Sequence, residues 1–141
     1  TTCSGNFEGE KCNTCKEGYA GNDCENCVSG YTKSGEACVS YSSLGAIYVE
    51  GLKKYVLNTG QTATWDNAKT ICPSGMYLPD IDELNTVYDY RGQDGIPTPS
   101  IAFWSSSENG SCCAYVRNFS NGIQDYHYKS NNRYVLCLGD P

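Results

Sequence analysis

TWDNAKTICPSGMYLPDIDELNTVYDYRG, residues 64–92, is the stretch from which the architecture of this chain is read. Thr64 is of a type preferred at helix N-caps. Trp65, Ala68 and Ile71 or Cys72 then recur on one helical face, until Pro73 and Gly75 stop the segment. Asp80-x-x-Glu83, directly after Pro79, is a capping-box pattern, in which each side chain takes up a backbone N–H that the helix itself leaves unpaired. It predicts a second helix with Ile81, Leu84, Val87 and Tyr88 on one face and Gly92 at its exit. Two amphipathic, half-buried helices are expected here.

On either side the pattern changes to strands. Residues 46–50, Gly51 and residues 54–57 predict a strand, a turn and a second strand. A loop is expected over 93–100, which hold two prolines and a glycine. Strands are then expected over 101–106, 114–119, 123–129 and 134–138. Asn121-Gly122 predicts a type I′ hairpin, because both residue types tolerate positive φ. Helices followed by an antiparallel sheet make an α+β fold class.

The ten cysteines in 141 residues place the chain in an oxidising compartment, secreted or at a cell surface. No apolar run approaches the length of a membrane span, and Thr1 is followed at once by a cysteine-rich stretch, so a leader is expected to have been removed. The net charge of −6 is spread along the chain without a basic patch, which excludes nucleic acid as an expected partner.

Residues 1–43 contain no Leu, Ile, Met or Trp and need covalent links in place of an aliphatic core. They carry Cys3, Cys12, Cys15, Cys24, Cys27 and Cys38, and Cys15-x2-Gly18-Tyr19 recurs as Cys27-x2-Gly30-Tyr31. Gly permits a positive-φ turn while the Tyr ring covers the disulfide. The rival reading of the C-x2-C joints is a structural zinc site; Cys3 and Cys38 fit a disulfide ladder better. Cys15-x2-Gly-Tyr-x-Gly-x2-Cys24 resembles the last loop of EGF-like modules, and the joints resemble the laminin-type variety. That resemblance implies sequential pairing, Cys3–Cys12, Cys15–Cys24 and Cys27–Cys38, in a spacer or stalk over 1–43.

From residue 44 the chain is that of a globular domain. Trp65-x2-Ala68-x3-Cys72-Pro73-x-Gly75-x2-Leu78-Pro79-x3-Glu83-Leu84, then Phe103-Trp104 to Glu108, then Tyr134-Val-Leu-Cys137 resemble bacterial C-type lectin-like domains. The branches meant are the Fibrobacter succinogenes major paralogous domain and the C-terminal domain of the Legionella collagen-like adhesin. The resemblance implies a lectin-like domain over 44–141, a Cys72–Cys137 bridge, and Trp104 as a core residue. The calcium-holding strings Glu-Pro-Asn and Trp-Asn-Asp of sugar-binding relatives do not occur, and neither a metal nor another cofactor is expected.

Catalysis finds little support. His127 is the only histidine and sits in an alternating strand without an evident nucleophile. Formylglycine-generating enzymes, of distantly similar fold, use a cysteine pair, which draws attention to Cys112-Cys113. These two are expected to bond to each other; pairing with another chain and free thiols are the alternatives. The expected function is a non-enzymatic adhesion or binding module for a glycan or protein. Its candidate ligand residues are Glu108, Asn109, Tyr115, Arg117, Gln124, Tyr126, Tyr128 and Arg133. Ile123 is taken to mark the His127 face of its strand as the inner one, leaving Gln124, Tyr126 and Tyr128 outward beside Arg117. Two other functions fit the composition: a self-associating structural subunit of a surface appendage such as a pilus, and a retroelement-diversified binding protein, whose ligand-facing segments are rich in Tyr, Asn, Ser and Gly. Asn109-Gly-Ser111 and Asn118-Phe-Ser120 are glycosylation sequons.

Overall fold

The computed structural model describes residues 5–9, 12, 14–35, 37–92 and 101–141. The expected Cys3–Cys12 bridge, through Cys3, and the loop expected at 93–100 lie outside the described residues.

The N-terminal repeat folds as three short antiparallel hairpins: β1 (Phe7–Glu8) with β2 (Thr14–Cys15), β3 (Tyr19–Ala20) with β4 (Asn26–Cys27), and β5 (Tyr31–Ser34) with β6 (Ala37–Ser40). Cys15 bonds Cys24 and Cys27 bonds Cys38, as the EGF-like resemblance implies. One backbone bond recurs from hairpin to hairpin: Lys16 N–H donates to the Asn6 carbonyl, Val28 to Gly18, and Tyr41 to Gly30, at 2.8, 3.0 and 2.8 Å. Gly18 matters for close approach as well as for its φ of 89°. A Cβ there would stand 2.7 Å from the Tyr31 ring, which packs on the preceding repeat.

The remainder is built on one seven-stranded sheet. Its strands are β7 (Ile47–Val49), β8 (Lys54–Ala63), β9 (Met76–Tyr77), β10 (Ala102–Asn109), β11 (Cys113–Asn118), β12 (Gln124–Tyr128) and β13 (Arg133–Gly139). They run in the order β12-β11-β10-β13-β8-β7, with β9 pairing one end of β13. Only β10 and β13 pair in parallel. Helices α1 (Trp65–Ile71) and α2 (Ile81–Asp89) cover opposite faces. Side chains alternate across a strand, so Trp104, Val135 and Cys137 pack with Trp65 and Ala68 of α1, while Phe103, Leu136 and Leu138 pack with Leu84 and Val87 of α2. Trp104 is a fully buried core residue whose indole N–H donates to the Ala63 carbonyl at 2.8 Å. Cys72 bonds Cys137, tying the end of α1 to the central strand.

The capping box forms as the sequence predicts: Asp80 accepts from Glu83 N–H, and Glu83 from Asp80 N–H. Thr64 is the residue before α1, but its side chain makes no capping bond. Tyr41 links the two regions. It stands two residues before the expected boundary at 43/44, yet its ring lies in the core on the α1 face, edge-on to Tyr55 at 5.6 Å. Gly75 and Gly139 make room for it, since a Cβ at either would come within 2.5 or 2.8 Å of Tyr41.

The α+β expectation is corrected. Strands take up 46% of the described residues and helices 15%, with only two short α-helices, so this is a small sheet-rich, disulfide-bonded fold. The helices were legible, but the strand content was underestimated. Strand β8 runs ten residues through Asn58, Thr59, Gly60 and Gln61, which resemble a turn. It is held there because Thr59 Oγ1 donates to the Val135 carbonyl at 2.7 Å beside a register shift between Tyr134 and Leu136.

Candidate functional site

Strands β11 and β12 pair with Tyr115 opposite Tyr126, Arg117 opposite Gln124 and Cys113 opposite Tyr128. Residues directly opposite share a face. Ala114 and Val116 point into the α1-side core, so these other pairs lie on the α2 side of the sheet. Helix α2 reaches only one end of this face. Asn85 donates to Gln124 Oε1 at 3.0 Å and accepts from Arg117 Nη1 at 2.7 Å, and the Arg117 guanidinium lies 4.2 Å over the Tyr88 ring. Arg117 is the cross-strand neighbour of Gln124, as expected, but it is half-buried and held by α2. Beyond α2, Tyr126 and Tyr128 of this face stay exposed and no described element packs over them. Tyr126 and Tyr128 are 55% and 66% exposed, on the edge strand of the sheet, and Tyr115 is edge-on to Tyr126 at 6.5 Å.

The opposite side of the same strands is occupied by internal partners. Glu108 pairs with Lys129 at 2.7 Å, and the Lys129 ammonium lies 4.5 Å from the Trp65 ring centre. Arg133 Nε donates to His127 Nδ1 at 2.8 Å, and its Nη1 donates to the Asn132 carbonyl. His127 Nε2 is 3.7 Å from Asp125 Oδ2. Burial first, then the Arg133 charge, lowers the His127 pKa from 6.5, and Asp125 opposes them.

The eight expected residues therefore do not form one site. Tyr115, Gln124, Tyr126 and Tyr128 share a face, with Arg117 fixed beneath α2. Glu108 and Arg133 belong to the other side, while half-buried Asn109, opposite Cys113 at the end of the ladder, lies on the tyrosine side. Ile123 does not mark an inner face: it is 56% exposed, because it lies in the connection before β12 begins. Nor does Asn121-Gly122 form a type I′ turn, since of the two only Gly122 has positive φ. The connection is wider, closed by Gly122 N–H to the Asn118 carbonyl and by Asn118 and Asn121 side chains accepting from the backbone of Ser120 and Ile123.

Cys112 and Cys113 bond to each other. Beside them is a hollow of about 260 Å³ lined by Cys112, Cys113, Tyr126, His127, Tyr128 and Asn131. Asn85 and Asn131 were not singled out from the sequence, and Tyr88 was read only as part of the packing face of α2. Asn85 looks like an ordinary polar helix residue, and nothing local to Asn131 distinguishes it from a turn residue. Among the described residues, no group of three or more His, Cys, Asp and Glu side chains is placed to hold a metal ion, and no helix is long and apolar enough to cross a membrane. Neither a family model nor a curated protein sequence matches the chain.

Proposed function

We propose that this chain is an extracellular binding module that takes a glycan or protein ligand on the uncovered tyrosine face of β11 and β12. The observation that carries this reading is the exposure of Tyr126 and Tyr128 on an edge strand whose opposite side is already engaged. Aromatic side chains offer large contact area at small entropic cost and are enriched where binding energy concentrates. The disulfides support an oxidising, extracellular setting. The residue pattern resembling bacterial lectin-like sequences supports the ligand class. The role is binding without catalysis: Nδ1 of the only histidine accepts from Arg133, and the adjacent cysteines are tied to each other.

The test replaces both Tyr126 and Tyr128 by Ser in the intact chain and measures capture by glycan arrays, protein arrays and cell surfaces. Capture should fall at least tenfold while stability stays within about 0.5 kcal/mol, as for other surface substitutions. Unchanged capture, or an unfolded variant, would refute the face. A second reading, a self-associating structural subunit, draws support from the same edge position of β12, because edge strands present unpaired backbone to other chains. Sedimentation that shows concentration-dependent assembly without ligand favours it.

A further inference from the structure

We propose that the hollow beside the Cys112–Cys113 disulfide is a subsite for one uncharged pyranose ring of a glycan. The inference rests on the binding reading above and names the ligand class for its innermost part.

Two adjacent cysteines bonded to each other close a small ring on the main chain, so the sulfurs cannot turn away as a side chain on a free rotor would. Sulfur is soft and polarizable, which suits dispersion contact with C–H groups. Around this floor stand Tyr126 and Tyr128, with Asn131 and His127 completing the lining. The wall is thus part apolar and part hydrogen-bonding, which matches a sugar ring with one C–H face and a rim of hydroxyls. The Asn131 amide both donates and accepts.

Charge and size narrow the choice. Among the described residues, no Asp, Glu, Lys or Arg lines the hollow. An anionic or cationic ligand would give up its hydration without a counter-charge in return. The volume of about 260 Å³ falls just below the ~300 Å³ at which pockets for drug-sized ligands begin. One ring fits; a longer ligand must continue over the exposed tyrosines.

The experiment titrates the full chain with methyl glycosides of glucose, galactose, mannose and N-acetylglucosamine, followed by amide chemical shifts, with methyl glucuronide and glucosamine as charged comparators. At least one neutral glycoside should bind, the charged ones at least tenfold more weakly. Binding should fall at least tenfold in the double variant Cys112→Ser with Cys113→Ser, and in Asn131→Ala. Asn131→Ala decides alone where the double variant fails to fold. Tyr48→Ser, on the opposite edge strand, should bind as the parent does. Absence of binding by every neutral glycoside overturns the proposal, as does binding that both sets of variants retain. If no glycoside binds while the Tyr126 and Tyr128 replacements still lower cell-surface capture, the sugar assignment fails and the binding reading stands. If capture also survives those replacements, both fail.

Discussion

Replacing Tyr41 by Ala should destabilise the whole fold, although the residue lies before the expected start of the globular domain. The ring is 4% exposed and packs among Tyr55, Met76 and other side chains of the α1-side core. Burying a tyrosine removes roughly 150–250 Å² from water, which corresponds to about 4–6 kcal/mol at ~25 cal/mol per Å². That figure is an upper bound, because an unfolded chain already hides part of its apolar surface. Large aromatic residues cut to alanine in other cores lose about 3–5 kcal/mol, so the two routes meet near ~4 kcal/mol. Collapse of the site is hindered on two sides by backbone, at Gly75 and Gly139, which keeps the loss from shrinking. Urea unfolding of the intact chain should therefore show a drop of about 4 kcal/mol at unchanged slope. Two fragments give the same comparison without a substitution: one spanning 39–141 keeps Tyr41, and one spanning 44–141 does not. The first should be the more stable by a similar amount. A Tyr41→Ala chain within about 1 kcal/mol of the parent, or two fragments of equal stability, would sink the claim that this ring is part of the domain core.

Joint replacement of Cys72 and Cys137 by Ala opens a loop of sequence separation 65 and should cost about 4 kcal/mol by loop-closure entropy, read from guanidinium unfolding. Asp80→Ala removes the acceptor for Glu83 N–H and should cost about 1 kcal/mol, while Asp80→Asn keeps most of the cap; urea midpoints separate the two. His127 should titrate below 6.5 in the folded chain by NMR, with Arg133→Gln raising and Asp125→Asn lowering the midpoint, since Arg133 depresses the pKa and Asp125 raises it. The sign for stability follows. As pH falls below 6.5 the unfolded chain takes up the proton first, so stability present on the alkaline side is lost down to the folded pKa and changes no further through this group beneath it.

Local chemistry was legible wherever a few neighbouring residues decide the outcome. The capping box at Asp80 and Glu83 fixes α2 by itself, and the Gly-Tyr repeat of the stalk marks the hairpins that follow Gly18 and Gly30. What escaped depends on partners far along the chain. Strand β8 continues through Gly60 because β13 runs beside it, and no local pattern in residues 58–61 announces that. Short β9 exists only as an addition to β13. For the candidate site, alternation along β12 correctly placed Gln124, Tyr126 and Tyr128 on one face. It could not show that Asn85 and Tyr88 of a distant helix would take Arg117, or that Arg133 would turn to His127. Strand periodicity gives a side, and only tertiary packing says which side is left open.

The backbone bond that steps from Asn6 to Lys16, from Gly18 to Val28 and from Gly30 to Tyr41 has a mechanical consequence. Tension entering along the N-terminal hairpins crosses the Cys15–Cys24 and Cys27–Cys38 bridges, so the residues inside those loops are removed from the load path and cannot be paid out as slack. The last step of the ladder ends on a residue whose ring is embedded in the core beneath the large sheet, so no free swivel separates the last hairpin from that sheet. Load on the hairpins is passed to covalent links and to one buried ring, and the sheet keeps its orientation relative to the last hairpin until that ring is pulled out.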